Sequence, residues 1–215
     1  MTNLIYMQGR VAGDIMTDTK MMRDTYNVTI LHRSPLPIHE TQVPNLEVVP
    51  SHILVSETDM ELTTAIDHRE ARLKLQLEKV KDRYDYIFID CPPALNWLTI
   101  NAFTASDYVL VVVEPGYFEL ESTVQIGKTI KEVQDLFNPA LKMRGFLFNK
   151  SDGTLNTRNS LQLLRQTYPE HVFRTVIPRN IDLKDASFAK KDIFAFNPRS
   201  KAAEAFQRLI EEAFA

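Results

Sequence analysis

Tyr84-Asp85-Tyr86-Ile87-Phe88-Ile89-Asp90-Cys91-Pro92-Pro93 is the stretch on which the fold turns. Its centre, Tyr86 to Ile89, is apolar at every position and runs directly onto the carboxylate of Asp90. A strand with one wet face alternates apolar and polar residues, whereas a parallel strand covered by helices reads as one continuous apolar run. Neither Pro92 nor Pro93 can donate to a ladder, so the strand ends there.

Outward from this strand the same grammar repeats. Trp97 to Ala105 reads as a helix, and Tyr108 to Val113 as a second continuous apolar strand. A helix from Glu119 to Phe137 puts Leu120, Val124, Gly127, Ile130, Val133 and Phe137 on one stripe. Met143 to Phe148 reads as a third strand and Thr157 to Tyr168 as a helix burying Leu161 and Leu164. A fourth strand, Val172 to Ile177, stops at Pro178. The final helix opens near Ser200, a residue suited to the N-cap, and aligns Ala203, Phe206, Ile210 and Phe214. Upstream, Leu46-Glu47-Val48-Val49-Pro50 is a short strand. Leu62, Ile66, Leu73, Leu77 and Val80 then recur at helical spacing, with one position skipped at Arg69. Residues 1–43 carry no clear period.

Strands alternating with helices of this length predict one α/β domain over residues 1–215, a mostly parallel sheet with helices on both faces. In such sheets ligands sit beyond the carboxyl ends of the strands. Four strand ends are polar or proline-rich and are expected to converge on one rim: Asp90-Cys91-Pro92-Pro93, Glu114-Pro115, Asn149-Lys150-Ser151-Asp152 and Pro178-Arg179-Asn180.

Composition narrows the function classes. The chain is 44% hydrophobic and 25% charged, ordinary for a soluble globular domain. A single cysteine, Cys91, excludes an internal disulfide framework. No apolar run is long enough to cross a bilayer, and the cytoplasm is the expected location. Net charge is −3, unevenly spread: residues 141–215 hold 13 Lys and Arg against 8 Asp and Glu. A basic half attracts polyanions by counterion release, though a solvated mixed surface carries the same asymmetry.

Asp90 is the sharpest candidate. A carboxylate at the tip of a buried strand is where nucleotide hydrolases hold magnesium, directly or through water. An Asp in that place also caps the following turn. Likewise Asn149 can simply close a strand, and Pro178 terminate one.

These residues, in this order, resemble the ParA/Soj partition ATPase family. The stretch Tyr84 to Pro93 with Leu98-Thr99-Ile100-Asn101-Ala102 and Ala105-Ser106-Asp107 is similar to that family's Walker B and switch II region. Val176-Ile177-Pro178-Arg179-Asn180, and Asn197-Pro198-Arg199-Ser200 with Ala203-Glu204, resemble its C-terminal signatures, and the likeness runs over residues 44–215 from Pro44-Asn45-Leu46 and Val49-Pro50-Ser51 onward. The resemblance implies a P-loop NTPase-like fold that dimerises around ATP and Mg2+. It also implies binding to nonspecific DNA and a ParB-like or other cargo-adaptor partner that stimulates hydrolysis. By the same resemblance Asp90 binds the magnesium-coordinated water, and Asn149 with Pro178, Arg179 and Asn180 contacts the adenine. Arg174, Lys184, Lys190, Lys191, Arg199 and Lys201 are left as DNA phosphate contacts, although ordinary surface cations look the same.

The chain also departs from the pattern. A triphosphate cradle needs glycines that let backbone N–H groups approach, and a lysine for the terminal phosphates. The family carries this as a KGGVGKT-like run after its first strand, and the run is absent here. Gly127-Lys128-Thr129 lies inside an amphipathic helix, with Ser122 where the first glycine belongs. Gln8-Gly9 resembles the end of the family's DxDPQG turn, with Leu4 and Tyr6 replacing its aspartates, and Tyr26-Asn27-Val28 resembles a YDV segment. Asp182 stands where relatives often place a DNA-binding arginine. Glu211 and Glu212 in the last helix oppose an anionic membrane. The expected fold is therefore an N-terminally incomplete version of the family's, deficient in ATP binding and hydrolysis. The other reading is a nucleotide-independent interaction protein that pairs with a full-length ParA or its partner.

Overall fold

A computed structural model describes residues 4–7, 35–49, 55–91 and 94–214, with the backbone alone for residues 4–7 and 55–58. Gln8-Gly9, the Leu4 and Tyr6 side chains, Tyr26-Asn27-Val28, Pro50-Ser51 and Pro92-Pro93 lie outside the described residues. The chain divides into two compact units, residues 1–107 with 132–141 and residues 108–131 with 142–215.

The first unit holds strands β1 (Leu4–Met7), β2 (His39–Glu40), β3 (Leu46–Val49) and β4 (Tyr86–Ile89), ordered β2-β3-β1-β4. β1 runs parallel to both β3 and β4, setting Leu4 beside Leu46 and Tyr86. The short β2 is antiparallel to β3. Asn45 enters β3 at φ 64°, a left-handed turn that asparagine tolerates. Val49, Leu73 and Leu77 form the buried centre, with Ile87 and Ile89 of β4 packed against them. At the start of β4 the Tyr84 hydroxyl donates to the Glu47 carboxylate in a very close contact, and the Arg83 guanidinium lies 3.6 Å from the same group.

The helix expected through Leu62, Ile66, Leu73 and Val80 is instead two, α1 (Val55–Thr64) and α2 (Arg72–Leu77). The skipped position at Arg69 marks the break. His68 takes φ 41° there, and Ile66 ends fully exposed rather than on the core stripe. The joint is held by polar contacts: the Arg69 guanidinium stacks over the Trp97 ring at 4.0 Å and donates to the Thr63 carbonyl at 2.8 Å. Asn101 is completely buried in α3 (Trp97–Ala105), donates to the carbonyls of Arg69 (2.6 Å) and Trp97 (2.9 Å), and accepts from the Leu73 N–H (3.2 Å).

The second unit is a parallel sheet, β5 (Tyr108–Val113), β6 (Lys142–Ser151) and β7 (Val172–Pro178), in that order. With it go most of α4 (Tyr117–Leu136, whose residues from 132 on belong to the first unit), α5 (Leu155–Thr167), α6 (Ile181–Phe188), α7 (Ile193–Phe196) and α8 (Lys201–Phe214). Leu147, Phe173 and Ile177 of the sheet pack on Ala205, Leu209 and Ala213 of α8.

Strand and helix positions follow the sequence reading closely, and the faces less so. Val109, Val111 and Val113 are buried, but Tyr108 and Val112 on the other face of β5 are half-exposed, as are Tyr86 and Phe88 of β4. A continuous apolar run thus overstated how fully both faces are covered. In α8 the buried stripe is Ala202, Ala205, Leu209 and Ala213, and Ile210 and Phe214 are exposed. Of the expected stripe, Ala203 is buried and Phe206 packs on the core, while Ile210 and Phe214 give way to Leu209 and Ala213. In α4, Thr123 is buried and Val124 exposed, while Ile130 and Val133 sit in the core as expected.

Candidate nucleotide site

Asp90 follows the last residue of β4 and is exposed at the carboxyl end of the first unit's sheet. The chain beyond it is anchored where it re-enters α3. Asn96 caps the helix by accepting from the Thr99 N–H at 3.2 Å, and the Thr99 hydroxyl donates to the Ala94 carbonyl at 2.6 Å. The Asp59 carboxylate of α1 accepts from the Trp97 N–H at 2.8 Å, placing an anion at the positive end of α3. Beside Asp90, burial and then the charge of Asp90 push the Cys91 thiol up to about 12. Its sulfur contacts the Ile89 carbonyl at 3.8 Å.

The other three strand ends share one rim in the second unit. Because β5, β6 and β7 are parallel, Glu114, Asn149 and Pro178 all fall at their carboxyl ends. The Lys150 ammonium meets Glu114 at 2.5 Å, and the Arg179 N–H donates to the Ser151 carbonyl at 2.8 Å. Asn149, Pro178, Arg179 and Asn180 are therefore brought together on adjacent strand ends. Their side chains are not equally available. Asn180 caps α6 by accepting from the Asp182 N–H at 2.6 Å, and Asn149 accepts from the Lys150 N–H at 2.9 Å through its carboxamide oxygen. Arg179 is exposed.

The sequence reading placed Glu114, Lys150 and Asp152 on this rim but not two of the contacts they make there. One is the Glu114–Lys150 pair, whose signal was a charge of each sign one residue past two neighbouring strand cores. The other is made by Asp152, which accepts at one oxygen from the Thr154 N–H, the Thr154 hydroxyl and the Thr157 hydroxyl. Led by the Thr157 bond, these donors hold its carboxyl down at about 2.

The cations proposed for DNA are scattered. Lys184 lies on α6, Lys190 and Lys191 in the turn to α7, and Arg199 and Lys201 at the start of α8, all exposed. Arg174 projects from β7 beside Glu212. Asp182, the acidic departure in this region, accepts from the Asn197 amide at 3.3 Å.

Residues 12–143 match a family model described as an AAA domain. The sporulation initiation inhibitor protein Soj of Bacillus subtilis (strain 168) is 41% identical over 176 residues, 81% of this chain and 69% of Soj. The chain belongs to the ParA/Soj-type P-loop ATPase family. The chromosome partitioning protein ParA of Myxococcus xanthus (strain DK1622) is 32% identical over 208 residues, 95% of this chain and 73% of that protein. Among solved structures, cobyrinic acid a,c-diamide synthase from Mycobacterium smegmatis, with bound ATP analog and magnesium, superposes with a TM-score of 0.74 at 25% identity. That match covers 88% of this chain and 80% of the other.

In the first unit Asp90 alone offers a carboxylate of the kind that magnesium takes. Among the described residues no group of three His, Cys, Asp or Glu could hold a metal by itself. A magnesium ion here would need water and phosphate oxygens beside the single carboxylate of Asp90, which is how that ion usually binds. The rim of the second unit carries the Asn149 and Asn180 carboxamides, whose oxygens already accept from backbone N–H groups. The sequence holds six glycines, no two adjacent. Gly127 lies within α4, bonded as a helix rather than opened as a loop.

Proposed function

We propose that this chain is a ParA/Soj-type partition protein acting in the cytoplasm, one α/β domain whose nucleotide end is weakened. The observation that carries this reading is the pairing of an exposed Asp90 at the β4 tip with a sequence lacking any glycine-lined phosphate loop. By the family resemblance Asp90 of the first unit would hold a magnesium-bound water, and Asn149, Pro178, Arg179 and Asn180 of the second unit would contact an adenine. Without convergent backbone N–H donors the triphosphate is held loosely, so this polypeptide hydrolyses no ATP. Binding measured by calorimetry with and without Mg2+ tests this. Millimolar or weaker affinity is expected, and micromolar binding that Asp90→Ala abolishes would sink the reading.

The partition role brings a ParB-like or other cargo-adaptor protein and nonspecific DNA as partners. Arg174, Lys184, Lys190, Lys191, Arg199 and Lys201 supply the phosphate contacts, and such binding must weaken steeply with salt. An absence of DNA affinity at low salt removes that part of the role. The missing cradle also supports a second reading, a nucleotide-independent protein that pairs with a full-length ParA or its partner. Sedimentation of the chain mixed with a full-length ParA, with ATP omitted, separates the two: a stable heteromer favours the second.

A further inference from the structure

β6 and β7 do not pair evenly. Phe146 faces Val172 and Phe148 faces Val176, so two steps along β6 span four along β7. Phe173, Arg174 and Thr175 therefore stand opposite Leu147 alone, a bulge that frees backbone donors from the ladder. The Thr175 N–H is part-buried and must find another acceptor, while that of Arg174 is exposed. Here both go to one side chain of α8: the Arg174 N–H donates to Glu212 Oε1 at 2.7 Å and the Thr175 N–H to Oε2 at 2.9 Å. Each carboxylate oxygen takes one backbone donor, and Arg174 Nε lies 3.8 Å from Oε1.

Successive N–H groups turned to the same side make an anion-binding concavity. The bulge lies in an open groove of about 440 Å³ lined by Arg174, Thr175, Arg208, Glu211 and Glu212. The groove presents two guanidinium groups besides the two amides. The Glu212 carboxyl is nonetheless held below the ordinary range, because the donors outweigh the opposing cost of its burial.

We propose that the β7 bulge is a carboxylate-binding site which the chain fills with its own Glu212, and which a carboxylate on another molecule enters when Glu212 withdraws. The planar, two-oxygen geometry matches one donor per oxygen. Glu211 beside the groove opposes a dianion, so carboxylate is taken in preference to phosphate. Occupation by Glu212 also locks the last turn of α8, whose Ala213 carbonyl accepts from Arg144 Nε of β6 at 2.9 Å. An incoming carboxylate releases the first of these two ties and leaves the apolar seam of Ala205 and Leu209 in place.

Chemical rescue tests this on the full chain. Glu212→Ala empties the nest, and melting in formate is compared with melting in chloride at equal ionic strength. A saturable rise in Tm of about 2–4 °C is expected in Glu212→Ala and not in wild type. Glu212→Gln, whose amide still fills the space, should gain nothing. Equal formate effects in wild type and Glu212→Ala overturn the proposal, as does a gain in Glu212→Gln matching that in Glu212→Ala. Phosphate rescuing as well as formate overturns the preference for carboxylate. Should Glu212→Ala fail to fold in chloride, its refolding yield reads the same site. Yield restored by formate supports the nest, and equal yields in the two salts refute it.

Discussion

The Lys150 ammonium lies 2.5 Å from the Glu114 carboxylate and ties the carboxyl-terminal tips of β5 and β6. Lys150 reaches it from φ 54°, a left-handed conformation that costs a side-chain-bearing residue about 1–2 kcal/mol. The pair is roughly half exposed at both ends, which limits its worth to about 0–1 kcal/mol. Strain and attraction therefore nearly cancel. Lys150→Gly should leave stability within about 0.5 kcal/mol of wild type, because it loses the pair and relieves the backbone together. Lys150→Val, β-branched at positive φ, should cost about 1–2 kcal/mol. Urea midpoints of the two variants decide the matter. A large loss in Lys150→Gly would show that the ion pair, not the turn, dominates.

Asn101, with no exposed surface, joins α3 to the turn at Arg69 and to the start of α2 at Leu73 through two hydrogen bonds, and makes a third to Trp97 within α3. Asn101→Leu keeps the volume but strands the Leu73 N–H and the Arg69 carbonyl in the interior. Each orphaned group costs about 1–3 kcal/mol, so a total near ~3 kcal/mol is expected. Trp97, the only tryptophan in the chain, sits at this joint, so its fluorescence reports the transition directly. A variant within about 1 kcal/mol of wild type would mean that the joint repacks without these bonds.

Acid should loosen the start of α5. The Asp152 carboxyl is lowered from 3.8 to about 2 in the folded chain. A depressed carboxyl stabilises above its unfolded value and loses that contribution as pH falls through its folded value. The contribution is thus complete above pH 3.8 and gone once pH falls past about 2. Melting temperatures of wild type and Asp152→Asn should converge across that window and differ at neutral pH. Parallel curves down to pH 2 would remove Asp152 from the acid response.

The fold was legible because apolar runs and proline stops are local signals. Tyr86–Ile89, Trp97–Ala105 and Tyr108–Val113 all lie where their residues place them. Partners separated in sequence were less visible. Nothing near Glu212 announces that its carboxylate serves a bulge 37 residues upstream. The short helices Ile181–Phe188 and Ile193–Phe196 were missed because their apolar residues do not repeat long enough to define a face. Asp90 was found from its position on a strand, while Asn180 turned out to be occupied as a helix cap. The cap was written locally all along, in an asparagine directly before a first turn that carries Asp182.

Gly145 offers the sharpest test of the second unit's sheet. β5 and β6 pair as Val109 with Met143 and then Leu110 with Gly145, so Arg144 is the surplus residue of a second bulge. Gly145 turns that corner at φ 152°, which L-residues with a Cβ rarely adopt. A Cβ there would also stand 2.7 Å from the His171 carbonyl oxygen and 3.0 Å from the Phe173 ring. The carbonyl is backbone and already accepts from the Phe146 N–H at 2.6 Å, so it cannot withdraw without breaking the ladder. Gly145→Ala must therefore strain φ, push on the buried Phe173 and disturb the strand pairing at once. A loss of about 3 kcal/mol or more is expected, as a fall in urea midpoint and in soluble yield. The bulge also aims Arg144 at the Ala213 carbonyl. Proteolysis of the α8 terminus should accelerate in the same variant, and wild-type resistance there together with wild-type stability would refute this account of the corner.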